Sequence, residues 1–177
     1  MKQASLILSF LALIGCASSN VEKEFGPLKA VEKVDLPKYL GTWYVIANIP
    51  TFLEKGAVNA TEIYTWNEKE NRIDVQFHFN QDTADGKLKE YTQKAFIYDE
   101  ASKAEWRIQP FWPLKLAYLI IDIAPDYSYT IVGVPNRNYV WIMARTKKMD
   151  EALYQSLVQK LAQVGYDTAL LQKVPQF

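Results

Sequence analysis

From Ile73 to Phe79 the chain alternates apolar and polar residues without a break: Ile73-Asp74-Val75-Gln76-Phe77-His78-Phe79. A period of two sends successive side chains to opposite faces of an extended backbone, so this run is a strand with one buried face. It is one of eight. Runs of this type occupy 43–49, 59–66, 72–80, 88–98, 104–109, 115–123, 127–134 and 138–145. Turn formers stand between them, among them Asp85-Gly86, Ala124-Pro125-Asp126 and Pro135-Asn136-Arg137. Links this short favour sequential antiparallel hairpins, and eight such strands can close into a barrel that has no exposed edge and can hold one small ligand. One segment has a different period. Leu153, Leu157, Leu161 and Val164 recur at helical spacing between Asp150, a cap residue, and Gly165. The predicted fold class is all-β: an eight-stranded antiparallel up-and-down β-barrel with a C-terminal α-helix packed outside it.

The first residues follow another logic. Lys2 gives a positive start, Leu6 to Ile14 an apolar core, and Gly15 a small residue before Cys16. This is the layout of a removable export signal, and the apolar core is too short for a membrane span of about 20 residues. Leu13-Ile14-Gly15-Cys16 resembles the lipobox of bacterial lipoproteins, which implies cleavage before Cys16 and acylation of its sulfur. Cys16 is the only cysteine, so no disulfide competes for the thiol. The expected organisation is a signal over 1–15, a lipid-anchored spacer over 16–37 and one domain over 38–177. Twenty basic residues against twenty acidic ones leave no electrostatic case for nucleic acid.

Gly41-Thr42-Trp43-Tyr44, preceded by Leu36-Pro37-Lys38-Tyr39-Leu40, resembles the Gly-X-Trp signature at the first strand of the lipocalin family. Pro125-Asp126-Tyr127 resembles that family's acidic-Tyr turn, although no Thr precedes Asp126, and Arg145 falls at the end of the eighth strand. The similarity spans the expected mature chain and is strongest to the bacterial outer-membrane lipocalins. It implies that Gly41, Trp43 and Arg145 are framework: Trp43 inside the closed end of the barrel, with the Arg145 guanidinium over it in a cation–π contact.

With Trp43 inward, alternation turns Val45 and Ala47 inward as well, and Ile73, Val75, Phe77 and Phe79 share one face. Counting back from Arg145 turns Met143, Trp141 and Tyr139 inward. The family pattern adds Ala60, Glu62, Tyr64, Trp66, Trp106 and Ile108. In 115–123 both faces are apolar, so Tyr118 and Leu119 stay undecided. The candidate ligand-binding residues are Tyr64, Trp66, Val75, Phe77, Phe79, Trp106, Tyr139 and Trp141. Such a lining suits a small amphipathic lipid, a fatty acid or lysophospholipid; a barrel merely filled by these side chains fits the same pattern. Phe52 and Leu53, in the long 50–57 connection, are placed to form a lid or to touch a membrane.

No catalytic motif, metal site or cofactor is expected. His78, the only histidine, points outward by alternation, and no Gly-X-Ser-X-Gly elbow or phosphate loop occurs. The resemblance implies storage or transport of lipid for upkeep of the outer membrane under stress, by a monomer or weak homodimer anchored through Cys16. Ala17, rather than Asp, after the cysteine resembles the pattern sorted to the outer membrane. Two rivals stand: a lipid-modifying enzyme using Glu62 as acid or base with Tyr64 as polar partner, and a structural envelope lipoprotein whose barrel is filled.

Overall fold

The computed structural model describes residues 21–177; Cys16 and the expected signal lie outside them. A short helix, α1 (Leu36–Tyr39), ends at Leu40, and the first strand begins at the next residue. The strands are β1 (Gly41–Ile49), β2 (Ala57–Asn67), β3 (Arg72–Gln81), β4 (Leu88–Ile97), β5 (Glu105–Gln109), β6 (Leu116–Ile123), β7 (Tyr129–Gly133) and β8 (Val140–Ala144). Each pairs antiparallel with the next. β8 returns to β1, and β1 also pairs with β2, so the sheet closes. The connections 50–56, 82–87, 110–115 and 134–139 share one end, called here the open end. Those at 68–71, 98–104 and 124–128 share the other, with α1.

The outer helix α2 (Glu151–Gln163) starts as the cap residue requires, with the Asp150 carboxylate accepting the Leu153 amide at 3.0 Å. It buries Tyr154, Leu157 and Leu161 against the barrel wall, while Leu153 is only partly covered and Val164 is exposed. The apolar stripe is therefore centred on Leu157 and widened by Tyr154.

Alternation fails once in the first strand, and the cause is a β-bulge. The register of β1 against β8 shifts between Val45 and Ala47. An extra residue on one strand reverses the faces beyond it. Val45 lies in the interior cluster, but Ala47, expected inward, joins Ile49 in the outer cluster beneath α2, and Asn48 is buried at the mouth of the barrel. β6 resolves differently. Tyr118 and Ile120 face the interior, and Leu119 packs outside with Leu157 and Leu161, so both faces are apolar because both are covered.

Two segments add to the wall. Residues 26–35 run down its outside from the open to the closed end. Arg137 holds the Gly26 carbonyl at 2.7 Å, Val31 N–H donates to Ile120, and Val34 N–H donates to Ser102. Leu28 and Val34 are buried, so the lead-in contributes to the core before residue 38. At the other terminus a two-residue strand, β9 (Gln172–Lys173), pairs with Ala47 and Asn48 of β1.

Candidate functional site

The closed half of the interior is a packed aromatic floor. Tyr39 lies 5.2 Å from both Trp43 and Trp106, Tyr64 lies 5.7 Å from Trp106, and Trp106 stacks on Tyr118 at 5.1 Å with an interplanar angle of 4°. The indole N–H groups donate to backbone carbonyls, Trp43 to Tyr39 and Trp106 to Lys103, each at 2.8 Å. Beneath, Arg145 places its guanidinium 3.7 Å from the Trp43 ring centre. The same group donates to the carbonyls of Lys38, Tyr39, Leu40 and Thr42 at 2.6 to 3.0 Å, the first three being acceptors that the end of α1 leaves without helical partners. Gly41 has φ +96° and sits under Arg145 Nη1, a backbone shape that L side chains rarely adopt. The Pro125-Asp126-Tyr127 turn ties to the same end, where the Tyr127 hydroxyl accepts the Asp35 amide at 2.7 Å.

Above the floor runs a line of polar groups. The Tyr39 and Tyr118 hydroxyls are 3.2 Å apart, those of Tyr118 and Tyr64 are 2.6 Å apart, and Tyr64 donates to Oε2 of Glu62. Only 9% of Glu62 is exposed, and no cation lies against it among the salt bridges of the described residues. Burial, and secondarily the charge of Glu54, pushes its carboxyl up to about 8. The phenols of Tyr39 and Tyr118 are raised as well, chiefly by burial.

Glu54 comes from the β1–β2 connection and turns inward, its carboxyl raised by burial. It accepts the Thr51 amide at 2.8 Å, the Trp141 indole N–H at 3.1 Å and the Asn48 amide side chain at 3.4 Å. These bonds pin the 50–56 connection to the rim. Between Glu62 and the rim the wall is apolar except at Lys89, which belongs to the inward row of β4 and lies opposite Phe79. Phe77, Phe79 and Tyr91 stack at 5.3 to 6.4 Å, and Val45, Met143 and Trp141 belong to the same cluster.

The candidate residues thus divide by depth. Tyr64 and Trp106 are in the floor, Val75 pairs with Tyr64 at floor level, and Trp66 is half-buried near the closed end. Phe77, Phe79 and Trp141 line the half nearest the mouth, and Tyr139 is exposed on the rim. His78 lies on the outer wall, 3.7 Å from Glu90. Sequence reasoning passed over Glu54, Tyr39, Tyr91 and Asn48. Tyr91 was legible from the row Lys89, Tyr91, Gln93, Ala95, which faces in on a strand whose other row is exposed. Glu54 sits in a connection, where no period points anywhere. Outside the barrel, among the described residues, a groove of about 430 Å³ lies between α2 and the 25–29 segment and another of about 330 Å³ beside 173–176.

A family model described as a lipocalin-like domain matches residues 34–176. Temperature-induced lipocalin-1 of Arabidopsis thaliana is 33% identical over 158 residues, covering 84% of this chain and 83% of that protein. The outer membrane lipoprotein Blc of Escherichia coli (strain K12) is 25% identical, over 94% of this chain and 90% of its own length. Among solved structures, lobster apocrustacyanin A1 superposes with a TM-score of 0.64 at 15% identity, covering 81% of this chain and 80% of that one, a likeness of fold. The matched domain takes in the aromatic floor, the polar line above it and the apolar mouth, and the chain belongs to the lipocalin family.

Proposed function

We propose that this protein is a membrane-anchored lipocalin that takes one single-chain amphiphile, a fatty acid, lysophospholipid or similar molecule, into the open half of its barrel. Lipocalins are binding proteins for small hydrophobic ligands. The observation that carries the narrower reading is the order of chemistry along the barrel axis: apolar rings from the rim down to Phe77, then the Glu62 carboxyl and Tyr64 hydroxyl, then a closed floor. Entry of a chain displaces the stacked rings of Phe77, Phe79 and Tyr91 and buries apolar area at about 25 cal/mol per Å². Acylation of Cys16, a place in the outer membrane and a role in lipid storage or transport under stress belong to the same reading. The similarity to Blc, named an outer membrane lipoprotein, supports the anchor and the location.

The test is native mass spectrometry of protein purified from a Gram-negative envelope. A co-purifying single-chain lipid, released on unfolding, is the expected result. Protein that is ligand-free and fails to take up lysophospholipid when it is supplied would overturn the reading. One observation favours a second reading, an enzyme acting on a lipid: the Glu62 carboxyl keeps its proton near neutral pH beside Tyr64. Recovering the supplied lysophospholipid intact after incubation decides for binding, and recovering products decides for the enzyme.

A further inference from the structure

The connections at the two ends of the barrel differ in what they expose. At the open end Phe52 is 78% exposed, Phe111 65% and Trp112 84%, and Leu53, Leu88 and Leu116 are exposed beside them. At the closed end, 98–104 is the one connection with an exposed large apolar side chain, Tyr98, and the Arg107 guanidinium covers its ring at 3.5 Å. A concentration of large apolar side chains at one end marks an interaction surface.

Its chemistry selects the partner. Lysines stand beside the apolar tips: Lys55 two residues after Leu53, Lys115 directly after Leu114, and Lys87 directly before Leu88. Lys55, Lys87 and Lys115 are exposed. Aromatic and aliphatic tips collared by long cationic side chains match a lipid bilayer, with rings at acyl depth and ammonium groups reaching back to the phosphates.

A second observation gives the direction. The described chain begins at the open end, where Arg137, in the β7–β8 connection, holds the Gly26 carbonyl and Phe25 packs on Gly165 beyond α2. Gly26 follows Cys16 by ten positions, at most about 35 Å of chain, so an anchor at Cys16 would tie the barrel to its membrane from the open end. We propose that the open-end crown of Phe52, Leu53, Leu88, Phe111, Trp112 and Leu116 docks on the surface of a phospholipid bilayer, so that the mouth faces the membrane and a ligand passes between bilayer and barrel without crossing water. The direction of the tether rests on the proposed acylation of Cys16; the crown does not.

The test uses the mature full-length protein mixed with phosphatidylethanolamine–phosphatidylglycerol vesicles that carry bromine on their acyl chains. Bromine quenches only tryptophans at acyl depth. Wild type is expected to lose emission, Trp112→Phe to lose most of that quenching, and Trp66→Phe, near the closed end, to keep it. Quenching unchanged in Trp112→Phe, or abolished in Trp66→Phe, overturns the proposal. So does a stable dimer in lipid-free solution with Trp112 shielded from iodide, because a second copy then covers the crown. The mass of the mature N-terminus reads the anchor separately: an unacylated chain that still shows Trp112 quenching removes the tether and keeps the crown, and a failed crown leaves ligand uptake by the barrel to be read in its own assay.

Discussion

Arg145 shows how one side chain serves two purposes at the base of the barrel. Its planar guanidinium lies over the Trp43 ring and donates to four carbonyls, so its removal forfeits a cation–π contact and leaves polar groups unpaired. Arg145→Ala is expected to cost about 3 kcal/mol in urea unfolding, comparable with the roughly 3 to 5 kcal/mol for Trp43→Ala. Arg145→Lys should recover little, because an ammonium cannot span those acceptors and the ring together; near-wild-type stability of the lysine variant would show that charge alone suffices. Glu62 yields a prediction with a sign. Burial pushes its carboxyl up to about 8 in the folded chain, against an ordinary value of about 4.5. Between those values the folded state binds more protons than the unfolded state, so this group's contribution is fully present below about 4.5 and is lost as pH rises through about 8. The buried Glu54, raised in the same direction, adds to the slope. Glu62→Gln is expected to flatten the fall in urea midpoint between acid and alkaline pH and to exceed wild type above pH 8 or so. An unchanged slope in that variant would place the titration elsewhere.

At the scale of elements the seam between β1 and β2 is the part of the barrel that had to be seen. The strands pair from Gly41–Tyr64 to Tyr44–Thr61, then part where β1 bulges and β2 shifts register between Val58 and Thr61. The C-terminal tail fills the gap. Val174 N–H donates to Ile46, Asn59 N–H donates to Pro175, and the Gln176 amide donates to Val45 of one strand and Ala60 of the other at 2.8 and 2.9 Å. Gln176→Ala is expected to cost about 1 to 2 kcal/mol, and truncation after Leu171 more. Hydrogen exchange should quicken at Asn59 and Val174, whose amides make the seam bonds, and wild-type protection there would mean the tail only covers the gap. Little of this was legible: Val174-Pro175-Gln176-Phe177 has no period, and Ile46, Ala47 and Ile49 are all apolar, which hides the residue where the faces reverse. The β3 row from Ile73 to Phe79 was legible throughout because its outer face stays wet and its polar residues mark the alternation. The polar line was half legible. Tyr64 and Glu62 follow from the family pattern of the second strand, whereas Tyr118 lay in a strand covered on both faces and Glu54 in a connection.

For the whole molecule, the depth of the floor decides how a ligand is measured. From Phe77, paired with Glu62, to Gln81 at the end of β3 is four residues, or about 14 Å of strand. Below Glu62 the rings of Tyr39, Trp43, Tyr64, Trp106 and Tyr118 leave a chain no soft path. A single-chain amphiphile in the open half therefore gains about 0.8 kcal/mol for each methylene placed against Phe77, Phe79, Trp141 and Met143, and less for those that reach the crown. Affinity is expected to climb steeply through short chains and then flatten, unlike the steady climb of a deep, unobstructed tunnel. Two-chain phospholipids should bind worse, since the second tail has only the rim to cover it. Phe77→Trp, which adds volume at the level of Glu62, is expected to weaken binding of the longer chains most at a cost of about 1 to 3 kcal/mol in stability. Calorimetric titration of a lysophospholipid series and a two-chain phospholipid against both proteins reads all three statements. If affinity is independent of chain length and Phe77→Trp binds as wild type does, the ligand lies outside the barrel, and the groove between α2 and the 25–29 segment becomes the place to look.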